Sequence, residues 1–285
     1  MRDRAAQRSV PASIEASAEA DLASAESESD LDAARSVLGR ASTLLRAFSS
    51  ERPVLSLGDL AAHAKLPKST THRIAATLVR CGVLQRYGAF GYCVGSWLHD
   101  VGLLAPTRYR LTSAAAPFLH ELHEQTRGTV HLGVCSPAGP LYLDKVSRYG
   151  GPASFTRPGS HFPMHSTALG KSLAAFTDDA HEQLLAEAGY RRYTMRTMTT
   201  PRLLARELGE VRAEQISRDR EETVPGISCV GVPVFDHFGL CVGAISVCAP
   251  TVRLDERRTL TALRRAAQNI GRAYGDRGVA QPRSS

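Results

Sequence analysis

Between Leu57 and Val79 apolar residues recur every three or four positions, in two stripes with a break between them. Leu57, Leu60, Ala61 and Ala64 form the first stripe, and Ile74, Ala75, Leu78 and Val79 form the second. This spacing predicts helices over 57–64 and 68–80, joined across the short AKLP break. The opposite side of the second helix carries Lys68, Ser69, Thr70, His72, Arg73 and Thr77. Upstream, Leu38, Ala41, Leu44, Leu45 and Phe48 predict another amphipathic helix over about 36–48. Pro53 ends that element, and Ser56 stands where an N-cap belongs. After Gly82 the period falls to two, through VLQR, a YGAFG turn and YCV, as in a hairpin.

The remainder alternates between the two periodicities. A short apolar segment over about 97–105 has helical character, and a longer helix over about 112–127 buries Leu119 and Leu122 and stops at Gly128. Strands are predicted over 129–135 and 141–146, then helices over 168–176, 179–188 and 202–218. Two further strands, 229–235 and 240–248, flank a DHFG turn, and a last helix covers about 255–274. Hairpins mixed with helices predict an α+β fold, an antiparallel sheet with helices packed around it. The division is a disordered tail over 1–33, rich in Ala, Ser and Glu, then a winged helix-turn-helix over 34–95. A linker helix over 96–111 leads to an α+β domain over 112–276 and a flexible tail over 277–285.

Charge adds a partner to this outline. Residues 1–33 hold three Arg against eight Asp or Glu, whereas residues 34–95 hold nine Lys or Arg against Glu51 and Asp59. The densest positive charge therefore coincides with the helix pair, which is what phosphate neutralisation requires. Helix-turn-helix geometry places the second helix in the major groove of double-stranded DNA. The candidate DNA contacts are Lys68, Ser69, Thr70, Thr71, His72, Arg73 and Thr77, with Arg86 in the wing.

Composition narrows the rest. Hydrophobic residues make up 43% of the 285, enough for a sizeable core and against wholesale disorder. No apolar run approaches the roughly 18 residues that span a membrane, and no apolar signal core opens the chain, so a cytoplasmic protein is expected. The six cysteines form no CxxC pair, which favours reduced thiols over a disulfide framework. ALGKS resembles the end of a phosphate-binding loop, but His165 stands where that motif needs its first Gly. The histidines of HELHE lie three apart rather than four, on an expected solvated helix face, and no GxSxG elbow occurs. His161 and His165 flank a proline-containing loop, with a structural or ligand-contacting role expected rather than metal binding. No catalytic residue, metal site or cofactor is expected, and the chain does not read as an enzyme.

LGDLAAHAKLPKSTTHRIAATLVRCGVL in the first half resembles the IclR family of bacterial transcriptional regulators. So do TVHLGV, LYLDKV, FPMHSTALGKSLAAF, DREETVPGISCVGVPVFD and GAISVCAP, in that order, in the second. The resemblance covers about residues 36–274. It implies a GAF-like or PAS-like C-terminal domain that binds a small effector, and homodimers, often dimers of dimers, on pseudo-palindromic operators. Most members are repressors. It also implies an effector site built from three places: Ala168, Leu169 and Gly170; Asp219 and Cys229; Ser246 and Cys248. Members that bind small carboxylates often carry a second Ser where this chain has Cys248. The residues themselves support an anion seat, because a helix starting near Ala168 presents unpaired N–H groups. Read without the resemblance, Cys229 and Cys248 equally fit core packing, and Asp219 fits an exposed RDREE run.

Overall fold

The computed structural model describes residues 36–48, 52–103, 106–136, 139–148 and 156–276. The expected tails, 1–33 and 277–285, lie outside the described residues. Two compact units emerge, one ending at Tyr109 and the other beginning at Arg110.

In the first unit, α1 (Val37–Arg46), α2 (Leu57–Ala64) and α3 (Lys68–Arg80) precede the hairpin β2 (Leu84–Tyr87) and β3 (Gly91–Val94). Leu44, Leu60, Ile74 and Ala75 from the helices meet Leu84 and Tyr92 from the hairpin in one core. The wing also gains a strand that periodicity does not show. β1 (Val54–Ser56) pairs antiparallel with β3, giving the order β1-β3-β2. Three residues are too few to display a period of two, so only the partner strand reveals it. α4 (Ser96–Leu103) follows, and the helix expected to begin near 112 starts six residues earlier, as α5 (Pro106–Thr126).

The second unit is built on a five-stranded antiparallel sheet. Its strands are β4 (Thr129–Ser136), β5 (Gly139–Val146), β6 (Ser217–Arg220), β7 (Ile227–Phe235) and β8 (Cys241–Pro250), in the order β5-β4-β8-β7-β6. One face, with Val130, Leu132, Val230, Val232, Ile245 and Val247, packs on α5 and on α9 (Glu256–Asp276) through Leu119, Leu122, Leu263 and Ile270. The other face meets α6 (Ala168–Phe176). Behind α6 lie α7 (Asp178–Ala186) and α8 (Pro201–Glu214), which bury Leu184, Leu204, Leu208 and Val211 against Ala174 and Ala175. The expected helix over 202–218 overruns: Gln215 turns left-handed at φ 56°, and the chain leaves as β6. The fold is α+β, a winged helix-turn-helix followed by a sheet domain with helices on both faces.

Candidate functional site

The first candidate surface is α3 and the wing. Ser56 caps α2 reciprocally, its Oγ accepting from Asp59 N–H (3.2 Å) while Asp59 Oδ2 accepts from Ser56 N–H (2.9 Å). A left-handed Lys65 then turns the chain into α3. Thr71, Ile74 and Ala75 face the core, whereas Lys68, Ser69, His72, Arg73, Thr77 and Arg80 are exposed and Thr70 is half-buried. Thr71 is the exception among the candidate contacts. It is 0% exposed, and its Oγ1 donates to Pro67 O at 3.1 Å. It lies three and four residues before Ile74 and Ala75, on the apolar stripe rather than the polar one. Arg80, missed by the sequence reading, extends the cationic face instead. Thr77 Oγ1 donates to Arg73 O (3.0 Å) and accepts from Arg80 Nη2 (3.3 Å). In the wing, the exposed Arg86 guanidinium lies 4.4 Å from the centre of the Tyr92 ring.

The second candidate site lies on the sheet face beneath α6, where register assembles residues far apart in sequence. Thr129, Cys248, Cys229 and Asp219 stand opposite one another in a row across β4, β8, β7 and β6. His131, Ser246, Gly231 and Ser217 form a second row two residues along. Directly opposed residues share a face, so both rows look toward α6. Two glycines let the helix come close. A Cβ on Gly133 would meet Leu169 Cδ2 at 2.7 Å, and one on Gly231 would meet Ser217 Oγ at 2.8 Å and Ala168 O at 3.1 Å. Ser217 Oγ donates to Ala168 O at 2.6 Å, fastening the first turn of α6 to the sheet.

Between helix and rows lies a cavity of about 20 Å³, room for roughly one water. Ala168, Leu169, Asp219, Cys229, Ser246 and Cys248 all line it, so six of the seven expected effector residues come together. Gly170 does not. Its N–H is taken by the Thr167 cap (3.0 Å), and Met164 O lies 2.5 Å from where a Cβ would stand. Gly170 therefore permits the tight approach of the preceding loop, while the N–H groups of Ala168 and Leu169 belong to the open first turn of α6. His131, Tyr142, Thr156, Phe162, Thr167 and Thr223 complete much of the wall, and the sequence reading missed them. His131 had a signal. In TVHLGV it sits at period two from Thr129 and Gly133, opposite in phase to Val130 and Leu132.

Asp219 is 4% exposed, not on an open charged run, because β6 alternates and turns Ser217 and Asp219 inward. Its Oδ1 accepts from the N–H groups of Glu222 (2.7 Å) and Thr223 (3.3 Å). Burial, reinforced by the nearby Glu222 carboxylate, pushes its pKa up to about 7. Burial, with the neighbouring Lys145 charge, pushes His131 down to about 3, so its ring is neutral. His131 Nε2 lies 2.7 Å from Thr156 Oγ1. Behind this wall Lys171, the Lys of ALGK, is wholly buried and pairs with Glu222 (2.7 Å) and Glu207 (3.1 Å). Among the described residues, the cavity lining carries no Lys or Arg.

The cysteines require a correction. Cys229 and Cys248 are joined as a disulfide, whereas Cys81, Cys93, Cys135 and Cys241 are free. Their separation of 19 residues carries no spacing signal, and the register of β7 and β8 sets them face to face. The histidine motifs serve structure. His120 of HELHE is exposed, but His123 is buried with Nδ1 2.7 Å from Gly128 O. His165 stacks on Tyr190 and Tyr193, and His161 Nε2 lies 3.0 Å from Ser136 Oγ. Among the described residues no group of His, Cys, Asp or Glu is placed to hold a metal ion, and no helix is long and apolar enough to cross a membrane.

Comparison with known proteins agrees with this architecture. The family model described as Bacterial transcriptional regulator IclR C-terminal matches residues 105–272, and that described as IclR helix-turn-helix domain matches residues 37–88. The HTH-type transcriptional regulator KdgR of Escherichia coli is 31% identical over 259 residues, covering 89% of this chain and 98% of its own. The transcriptional repressor IclR of the same organism is 28% identical over 250 residues, covering 84% of this chain and 89% of its own. An IclR homolog from Microbacterium hydrocarbonoxydans, solved in complex with 4-hydroxybenzoate, superposes with a TM-score of 0.77 at 24% identity. That match covers 84% of this chain and 99% of the other. These relatives are regulators rather than enzymes, and the chain belongs to the IclR family of bacterial transcriptional regulators.

Proposed function

We propose that this chain is a cytoplasmic repressor whose operator affinity is set by a small carboxylate bound between α6 and the sheet. Residues 34–95 serve as its DNA-binding domain, 112–276 as its effector domain, and 96–111 as the link. Homodimers, paired as dimers of dimers, present two copies of α3 to half-sites of a pseudo-palindromic operator about one helical turn apart. The relative named as a repressor supports the sign of regulation, and the homolog solved with 4-hydroxybenzoate supports a carboxylate ligand.

One observation carries the effector reading: the convergence of Asp219, Cys229, Ser246, Cys248 and the first turn of α6 on a single cavity. The N–H groups of a helix's first turn attract an anion. Ser246 can donate to it, and a protonated Asp219 can donate as well. Because the cavity is only about 20 Å³, a ligand must move α6 or the loop before it, which couples occupancy to shape. A gel shift on DNA upstream of the protein's own operon, with a metabolite panel, tests the whole reading. Failure to form a sequence-specific complex at moderate salt would overturn it. Ser246→Ala should leave operator binding intact and blunt the effector response about tenfold, by loss of a buried hydrogen bond of roughly 1–2 kcal/mol.

Asp219 adds a pH signature. A carboxylate ligand needs Asp219 protonated, so its affinity should fall about tenfold per pH unit above about 7 and level off below. In the protein without effector, the native carboxyl keeps its proton up to about pH 7, whereas an unperturbed one loses it near 3.8. The native state then binds more protons between those values. Stability falls as pH rises through that window, and the loss is complete above it. Asp219→Asn should flatten both profiles, measured by calorimetry and by urea midpoints. If both profiles keep their wild-type shape, another group titrates.

A further inference from the structure

Cys229 and Cys248 do more than line the effector cavity, because they are also covalently paired. The two residues are directly opposed on β7 and β8 with Cα atoms 4.1 Å apart, and their sulfurs are bonded. Both line the cavity and are nearly enclosed, at 8% and 6% exposure. Cys248 Sγ also lies 3.8 Å from His131 Nδ1. We infer that Cys229 and Cys248 form a reversible redox modification site, a two-electron thiol–disulfide couple that takes small hydroperoxides and sets the shape and hydrogen bonding of the effector cavity.

Burial favours a small oxidant. With both cysteines nearly covered, a small hydroperoxide reaches the sulfurs more readily than a bulky disulfide does. In the first step one cysteine sulfur attacks a peroxide oxygen. The O–O bond breaks, an alcohol or water leaves with the thiol proton, and a sulfenic acid remains. The second sulfur then attacks the sulfenic sulfur, the S–O bond breaks, and hydroxide leaves with the second thiol proton as water. Two thiols lose two electrons in all, and the peroxide gains them. A dithiol reductant reverses the change by exchange through a mixed disulfide. In a reducing cytosol, disulfides are typically transient and catalytic or redox-sensing.

The two states offer a ligand different walls. Oxidised, neither sulfur carries a hydrogen, and a covalent bond ties β7 to β8 beneath α6. Reduced, the sulfurs must separate toward the roughly 3.5–4 Å that unbonded heavy atoms keep, so the cavity floor spreads. Cys248 S–H can then donate to His131 Nδ1, the acceptor left when Nε2 carries the ring proton toward Thr156. The consequence for regulation rests on the effector reading above, but the couple itself does not.

The test uses the full-length protein without effector. After reduction with dithiothreitol and desalting, it is exposed to hydrogen peroxide at a few equivalents, alkylated with N-ethylmaleimide and digested. The expected product is a peptide joining Cys229 to Cys248, lost on renewed reduction, with Cys81, Cys93, Cys135 and Cys241 alkylated throughout. Amide hydrogen exchange in residues 218–230 and 244–248 should be at least threefold faster in the reduced form. Cys248→Ser and Cys229→Ser should each show no difference between the two treatments. Failure of the pair to form, or identical exchange in both states, overturns the inference. Both readouts are taken on ligand-free protein, so that failure leaves the effector reading standing, and a normal response from Ser246→Ala leaves the couple standing.

Discussion

Replacing Lys68 and Arg73 together by alanine should weaken operator binding about 30- to 700-fold, a loss of about 2–4 kcal/mol. Both side chains are exposed on the first half of α3, a helix that contains no Asp or Glu. Their charge is therefore not cancelled within the helix, and its most effective partner is phosphate. Each cationic contact removed lowers the slope of log affinity against log salt by about 0.9. The double variant should thus bind with a slope shallower by nearly two and with most of its loss at low salt. Thr71→Val supplies the contrast. Its hydroxyl is buried against Pro67 O, so the substitution should change stability while leaving operator affinity within about twofold. If the double variant retains both affinity and slope in fluorescence titrations, α3 is not the recognition helix.

The second large effect belongs to Lys171→Ala, which should destabilise the effector unit by about 3–5 kcal/mol. Lys171 is wholly buried, with Nζ 2.7 Å from Glu222 and 3.1 Å from Glu207, and it also opposes the rise in the Asp219 pKa. Its removal leaves two nearly enclosed carboxyls, Asp219 and Glu222, with no cation between them. Burial already pushes Glu222 above the usual carboxylate range, and Lys171 is what restrains it. The stranded groups must then hold protons to stay inside. The loss should therefore be greater at pH 8 than at pH 5, because protonation grows more costly as pH rises. Lys171→Met combined with Glu222→Gln should recover part of it, since a neutral pair of similar volume leaves less uncompensated charge. Urea unfolding monitored on the effector-unit transition measures all of these. A loss below about 1 kcal/mol for Lys171→Ala would show that water reaches the carboxyls.

These two cases differ in how far the sequence anticipates them. The cationic face of α3 is legible because helical spacing alone puts Lys68, Arg73 and Thr77 opposite Ile74 and Ala75. The same rule, applied more strictly, would have removed Thr71. The burial of Lys171 is not legible. In ALGKS, Lys171 belongs to a failed phosphate-loop match, and nothing in the sequence pairs it until α8 and the 221–223 turn bring Glu207 and Glu222 to it. β6 is hidden for a related reason. Ser217 and Arg218 fall at the end of the helix expected over 202–218, Asp219 and Arg220 fall in the charged RDREE run, and only pairing with β7 turns Ser217 and Asp219 inward. His131 lies between the extremes, its phase visible in the strand but its partner Thr156 supplied by a distant loop.

Local periodicity and charge by themselves determined most of the order of elements and the polar side of α3, and the ordered motifs carried the resemblance of the second half to a ligand-sensing domain. Those properties depend on neighbours within a few residues, where helix and strand geometry are regular. The tertiary structure alone decided that Thr129, Cys248, Cys229 and Asp219 share one row, that Gly133 and Gly231 clear a seat for α6, and that two cysteines 19 apart are bonded. Strand register is set by contacts across the sheet, and a slip of one residue would turn every one of those side chains to the opposite face.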